Sequence, residues 1–161
     1  MYDKEYMKQP RWIIDAYKGT EIHWSKSQME IHKKLNELDI YDVRFTNLRD
    51  RFALEFLVTL PGKDKPRAVR IVVPLSSQTG EEKQRERELN RIHRVLVNHL
   101  KSKFVAIASG LSEFEEEFMS HLVITDKHGN SRTMGEALLP EYHKAIDSGE
   151  NPDFKLLGDG N

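Results

Sequence analysis

The sequence predicts an α+β fold: a three-stranded antiparallel meander packed against a long helix and smaller helices. Three observations predict it. Apolar and polar residues alternate in three consecutive runs between Val43 and Leu75, an apolar stripe at helical spacing runs from Leu89 to Ile107, and only short segments rich in turn formers separate the strand runs. Parallel strands would need crossovers of a dozen residues or more, which these breaks cannot supply.

Taken in order, residues 1–24 form an N-terminal arm in which neither helical nor strand period is clear. Its segments RWIIDAY and EIHW carry both Trp residues, so it is expected to pack on the body. From Ser27 the pattern SQME makes a capping box, Ser27 accepting from the Glu30 amide while Glu30 reaches back, and Ile31, Leu35 and Leu38 follow at helical spacing. Val43 and Phe45, then Phe52, Leu54, Phe56, Val58 and Leu60, then Val69, Ile71, Val73 and Leu75 give three strands, each with one buried face. The breaks NLRD and PGKDKP are turn-forming.

A second box, Thr79 with Glu82, opens the long helix, whose stripe runs Leu89, Ile92, Leu96, Leu100, Phe104, Ile107 and which Gly110 is placed to end. Its opening residues GEEKQRERE lack an apolar stripe and are expected to project past the sheet. HLVIT and SRTM flank DKHGN as a small hairpin. Thr133 with Glu136 caps a last helix, which Pro140 should kink or restart and Gly149 should end. Phe154, Leu156 and Leu157 in the tail are enough to dock on the core. The whole reads as one domain of 161 residues: the arm, a helix–meander–long helix unit over 27–110, and an acidic helical and hairpin extension over 111–161.

The chain contains no Cys, which excludes a disulfide framework, a thiolate zinc site, a thiol nucleophile and an iron–sulfur cluster. No signal-peptide pattern is seen, and the apolar runs VRIVVPL and FVAIA fall far short of the roughly 20 residues a membrane span needs, so a cytoplasmic protein with no membrane partner is expected. Charge is divided unevenly. Residues 1–110 hold 21 Lys and Arg against 15 Asp and Glu, net +6, and residues 111–161 hold 4 against 11, net −7. Such a split suits either a basic surface for an anionic partner or two halves that attract each other.

The acidic run SEFEEEFMSH raises the question of a metal or proton-transfer site. At 100° per residue, Phe118 lies about 40° and Leu122 about 80° from Phe114, whereas Glu113, Glu115, Glu116 and Glu117 fan out over about 100–300°. The three apolar residues make one stripe and the carboxylates do not converge. Ser112 with Glu115 instead predicts a capped helix start, with acids favoured in its first turn.

Glu117 and His121 share a face at i and i+4, and with Asp126 they define the alternative reading, a metal-dependent hydrolase-type enzyme. The calcium-loop echo at Asp126, His128 and Asn130 fails, because Ser131 stands where Gly is required and Ala137 where a bidentate Glu is required. No phosphate loop, dinucleotide fingerprint or nucleophile elbow occurs, so no cofactor, metal ligand set or catalytic residue is assigned. The better-formed feature is a basic stripe. Arg87, Arg91, Arg94 and Lys101 fall about 120–200° from the Leu89 direction, a row suited to phosphate contacts. Leu57 and Val72, on the other face of the meander, offer a homodimer surface.

Two resemblances follow. The order helix, three strands, helix from Ser27 to Gly110 resembles the double-stranded RNA-binding domain in element order alone, since that family's Lys-rich start of the second helix is here GEEKQRERE. The run from Ser112 to Pro140 is similar to the C-terminal part of short uncharacterised phage and prophage proteins. The shared features are Phe114, Glu115, Glu116 and Phe118, then Asp126, Gly129, Arg132, Thr133, Gly135 and Glu136; Lys127 and His128 are an insertion in the turn. That resemblance implies a mobile-element origin and carries no activity. The expectation is a non-catalytic accessory protein that binds nucleic acid through the basic helix face, or a phage or host protein.

Overall fold

The structure is a computed structural model that describes residues 17–75 and 82–151. Helix α1 (Trp24–Glu37) leads into strands β1 (Val43–Asn47), β2 (Arg51–Val58) and β3 (Arg67–Pro74), then the 27-residue α2 (Glu82–Ala108). A single-turn α3 (Phe114–Glu117), a 3₁₀ turn (Met119–His121), the hairpin β4 (Val123–Thr125) and β5 (Ser131–Thr133), and α4 (Met134–Ser148) complete it. The strands pair antiparallel in the order β1-β2-β3, so the predicted α+β meander is what forms. No described helix is long and apolar enough to cross a membrane.

Register explains the core. Phe45 lies opposite Leu54 and Leu54 opposite Ile71; Phe56 is flanked by Val43 and Val69. Because side chains alternate faces, one face is a continuous apolar layer, and α1 and α2 lie on it through Ile31, Leu35, Leu96, Val97, Leu100 and Phe104. Phe114 and Phe118 join the same cluster from the extension. The opposite face carries Thr46, Ala53, Leu57, Ala68 and Val72, with Glu55 between Arg44 and Arg70 in one row across the strands. Glu55 accepts from both arginines, at 2.9 Å from Arg70 Nε and 2.8 Å from Arg44 Nε. Burial pushes its carboxyl up, and the two guanidinium bonds more than reverse this and hold it below the usual range.

Several local expectations are corrected. Helix α1 starts three residues before Ser27, with His23 as N-cap: its Nδ1 accepts from the Ser25 amide at 3.2 Å, and the Trp24 amide donates to Asn90 Oδ1 at 2.8 Å. Ser27 is instead fully buried within the helix, and Glu30 reaches across to α2. Leu38 is the exposed C-cap, and Ile40, beyond Asp39 at φ +61°, fills the core position. At the acidic run the N-cap is Glu113, not Ser112; the Glu113 amide donates to Glu116 Oε2 at 2.9 Å, and Ser112 Oγ bonds the Glu117 carboxylate. Helix α4 does not restart at Pro140, which lies inside it.

Other expectations hold. The β4–β5 hairpin forms around DKHGN with Gly129 at φ +84°, Thr133 and Glu136 make their reciprocal cap, and Gly149 ends α4 in the left-handed region. The Thr79 cap, most of the arm and the tail residues Phe154, Leu156 and Leu157 lie outside the described residues.

Candidate nucleic-acid interface

The four residues of the basic stripe do not share one environment. Arg87 is exposed and Arg91 half-buried, and neither has a hydrogen bond or ion pair among the described residues. Arg94 is 9 % exposed, pressed between α1 and α2, where Nη2 donates to Glu30 Oε2 at 2.8 Å. Lys101 Nζ donates to the other oxygen, Glu30 Oε1, at 2.6 Å. The hydrogen bond from Lys101, with that from Arg94, holds the Glu30 carboxyl below its ordinary value. The expectation that all four line a solvent face is therefore corrected. One carboxylate engages two of the cations, and the free part of the row is Arg87 and Arg91.

The reason is that α2 has two neighbours. Its sheet-facing stripe contains Leu89, Ile92 and Leu96, as the sequence predicts, but α1 covers a second arc that includes His93, Arg94 and Val97. At 100° per residue Arg94 sits about 140° from Leu89, outside a one-sided stripe and inside a two-sided one. His93 is fully buried in that arc, stacked on Phe52 with ring centroids 4.0 Å apart, with Nδ1 2.7 Å from the Leu89 carbonyl and Nε2 2.9 Å from Gln28 Nε2. Burial lowers its pKa to about 4, so the neutral ring is the folded form at pH 7.

The structure adds basic residues that the helical wheel could not supply. The two-residue turn Arg49–Asp50 between β1 and β2 closes with Leu48 N–H donating to the Arg51 carbonyl at 2.8 Å. Arg85 Nη2 then donates to the Leu48 carbonyl at 3.3 Å, so the opening of α2 is held to the body instead of projecting free of it. Gln28 of α1 donates to Asn47 Oδ1 at 2.9 Å at the same end. Arg49, Arg51, Lys83, Arg85 and Arg87 thus belong to segments that meet, with Arg91 one turn further along α2. The acids of this end are Asp50, 3.6 Å from Arg51, with Glu82, Glu86 and Glu88; Glu86 is 2.9 Å from His23 Nε2.

The residues of the enzyme alternative are engaged separately. Glu117 is held by Ser112 and lies 3.4 Å from Lys103, and the Ser112 hydroxyl first, then Lys103, keep its carboxyl below the usual range. Burial, with the nearby Lys103, lowers the His121 pKa. Asp126 caps its own turn, accepting from the amides of His128 and Asn130 at 2.8 and 2.9 Å. Among the described residues no three His, Asp or Glu side chains are grouped to hold a metal ion. Comparison of the chain with protein-family models, with curated proteins and with solved structures gave no match.

Proposed function

We propose that the chain is a non-catalytic accessory protein of a phage or other mobile element, acting in the cytoplasm, that binds nucleic acid at the end where the β1–β2 turn meets the opening of α2. The observation that supports this reading is the pair Arg87 and Arg91, one turn apart on α2 and about 120–160° round the helix from Arg85, which engage in no hydrogen bond or ion pair among the described residues. The rise from Arg87 to Arg91 is about 6 Å, close to the separation of successive phosphates along a strand. Phosphates carry no sequence information, so binding is expected to be indifferent to sequence. Asp50, Glu82 and Glu88 share this end and temper its potential, so affinity should be modest and steeply salt-dependent.

The test is fluorescence anisotropy with a labelled duplex and a labelled single strand. Binding is expected at about 50 mM salt and should be largely lost by about 200 mM. Arg87→Glu with Arg91→Glu should weaken it about tenfold or more without altering the fold, since neither residue is part of the core. Equal, negligible retention of both proteins at low salt would end the reading, and a protein partner would then lead.

A further inference from the structure

A cleft of about 530 Å³ opens where α1 and α2 end, away from the basic residues at their start. Four segments wall it: the α1–β1 linker, the end of β2 with the turn that follows, the last turns of α2 and the start of α3. Buried Ile40, Phe104 and Phe114, with Leu60 and Ile107, give it an apolar interior, while Leu38 and Tyr41 stand on its rim, 41 and 65 % exposed. Small-molecule sites have this size and character: about 300–1,000 Å³, largely apolar, with a few polar groups that orient the ligand. Among the described residues, the charged members of the lining are Asp39 and Asp42. Asp39 accepts from the Tyr41 hydroxyl at 2.9 Å, and the Asp42 carboxylate has no hydrogen bond or ion pair among the described residues.

Asp39 is out of place by the physics of helix ends. The Ile40 amide donates to the Leu35 carbonyl at 2.9 Å and the Asp39 amide to the Asn36 carbonyl at 3.0 Å, the pair of bonds that closes a helix on a left-handed residue. That residue is Asp39, at φ +61°, where glycine is the usual occupant. Its carboxylate also lies at the negative end of the α1 dipole, which repels it. The bond from an exposed tyrosine hydroxyl offsets only part of these costs. The stability of the turn therefore does not explain the carboxylate. The surrounding field has the same sign: α1 and α2 run in the same direction, Trp24 meeting Asn90 and Glu30 meeting Arg94 and Lys101, so both present their carbonyl ends here. The last turn of α2 holds no basic residue. Of the cations in the adjoining segments, Arg44, Arg67 and Lys103 are engaged by Glu55, Glu115 and Glu117, and Lys33, Lys34, Lys63 and Lys65 lie outside the lining.

We propose that this cleft binds a small organic cation, an apolar body of one ring or a short chain that carries an ammonium group. The body fills the interior formed by Ile40, Leu60, Phe104 and Phe114, and the ammonium group lies at the rim with Asp39 and Asp42. Tyr41, an exposed aromatic ring on the same rim, suits the same charge. Anions are disfavoured by both carboxylates and by both helix ends. A neutral apolar molecule gains the interior and leaves the carboxylates unused. A bound cation offsets the repulsion that Asp39 meets in the free protein, so one function accounts for the residue that the turn alone does not. About 20 Å of α2 separates Arg91 from Phe104, which makes this site independent of nucleic-acid binding.

The experiment is an amide-resolved NMR titration of the full chain with three probes of one shape and different charge: 4-phenylbutylammonium, 4-phenylbutanol and 4-phenylbutanoate. The ammonium probe should saturate in the low millimolar range or below, with shifts centred on residues 38–42 and 57–61. The alcohol should bind about threefold to tenfold more weakly and the carboxylate more weakly still. Asp39→Asn and Asp42→Asn, which keep the shape and remove one charge, should each weaken the ammonium probe several-fold and leave the alcohol unchanged. Asp39→Gly should lose the preference for the ammonium probe and also raise the melting temperature by about 1–3 °C, because glycine suits the left-handed position. That opposite movement of binding and stability is what a residue kept only for the fold would not give. Equal binding of the three probes, shifts centred elsewhere, no saturation by the ammonium probe to about 20 mM, or a lowered melting temperature in Asp39→Gly would each overturn the proposal.

Discussion

Between Trp24 and Gly110 helix and sheet faces bury one another along their length, whereas between Leu111 and Asn151 the chain enters the core chiefly through two phenylalanines and touches the sheet again only along β3. The first region supplies Ile31, Leu35, Phe52, Leu54, Phe56, Val69, Ile71, Leu96, Val97 and Leu100 to the buried cluster; the second supplies Phe114 and Phe118. After them Leu122 packs on the core and bridges to Val69, Arg70 donates to Ser131, and local devices complete the attachment: the Asp126 turn, the Thr133–Glu136 cap and the close seat of Gly135 on Ser120. The contrast teaches that two kinds of stability coexist in this chain. One is burial, shared among many residues, and the other is a short series of single points of attachment.

That contrast can be broken at its joint. Phe118 is fully buried, edge-on to Phe56 at 5.7 Å and beside Phe104 and Phe114 at 5.5 and 4.8 Å. Phe118→Ala should cost about 3–5 kcal/mol in urea unfolding, the range for a large core side chain left as a cavity. A loss under about 1 kcal/mol would mean that the body does not depend on the extension.

A smaller effect belongs to the body alone. His93 is neutral when folded, with a pKa of about 4 against about 6.5 in an unfolded chain. Between those values the unfolded chain takes up a proton that the folded chain refuses. Stability should therefore fall as pH drops from about 6.5 toward 4 and this contribution should level off below that, by up to roughly 3 kcal/mol in all. His93→Gln should flatten that dependence; an unchanged pH profile would place the proton uptake elsewhere.

The smallest effect should be confined to the extension. Gly135→Ala puts a Cβ against the Ser120 carbonyl and should loosen α4 by about 1–3 kcal/mol. Amide exchange should then speed up in α4 while β1–β3 keep their protection. Equal acceleration in both would show one cooperative unit.

Legibility follows the same division. The strands, the long helix, the hairpin and the Thr133 cap were written in periods and turn residues, signals that depend on a residue's own neighbours in sequence. What escaped depends on neighbours in space. Ser27 and Glu30 satisfy the capping pattern, yet α2 supplies Asn90 to the start of α1 and draws Glu30 to Arg94 and Lys101. The basic row looked continuous because a helical wheel assumes one buried side. At the proposed nucleic-acid end, Arg87 and Arg91 were legible, while the meeting of the Arg49–Asp50 turn with Arg85 required the fold.

The Arg44–Glu55–Arg70 row has a consequence for how the meander finds its pairing. A slip of one residue would turn Phe45 or Leu54 from the helices toward water. A slip of two would restore the apolar face and so escape that penalty. The row detects the second kind of error, because moving β1 by two residues sets Arg44 opposite Ala53 or Leu57, leaving Glu55 with one cation in place of two. Hydrophobic alternation thus reads the pairing modulo two, and the charged row reads it absolutely. Together they act as the coarse and fine scales of a vernier, and only one alignment satisfies both.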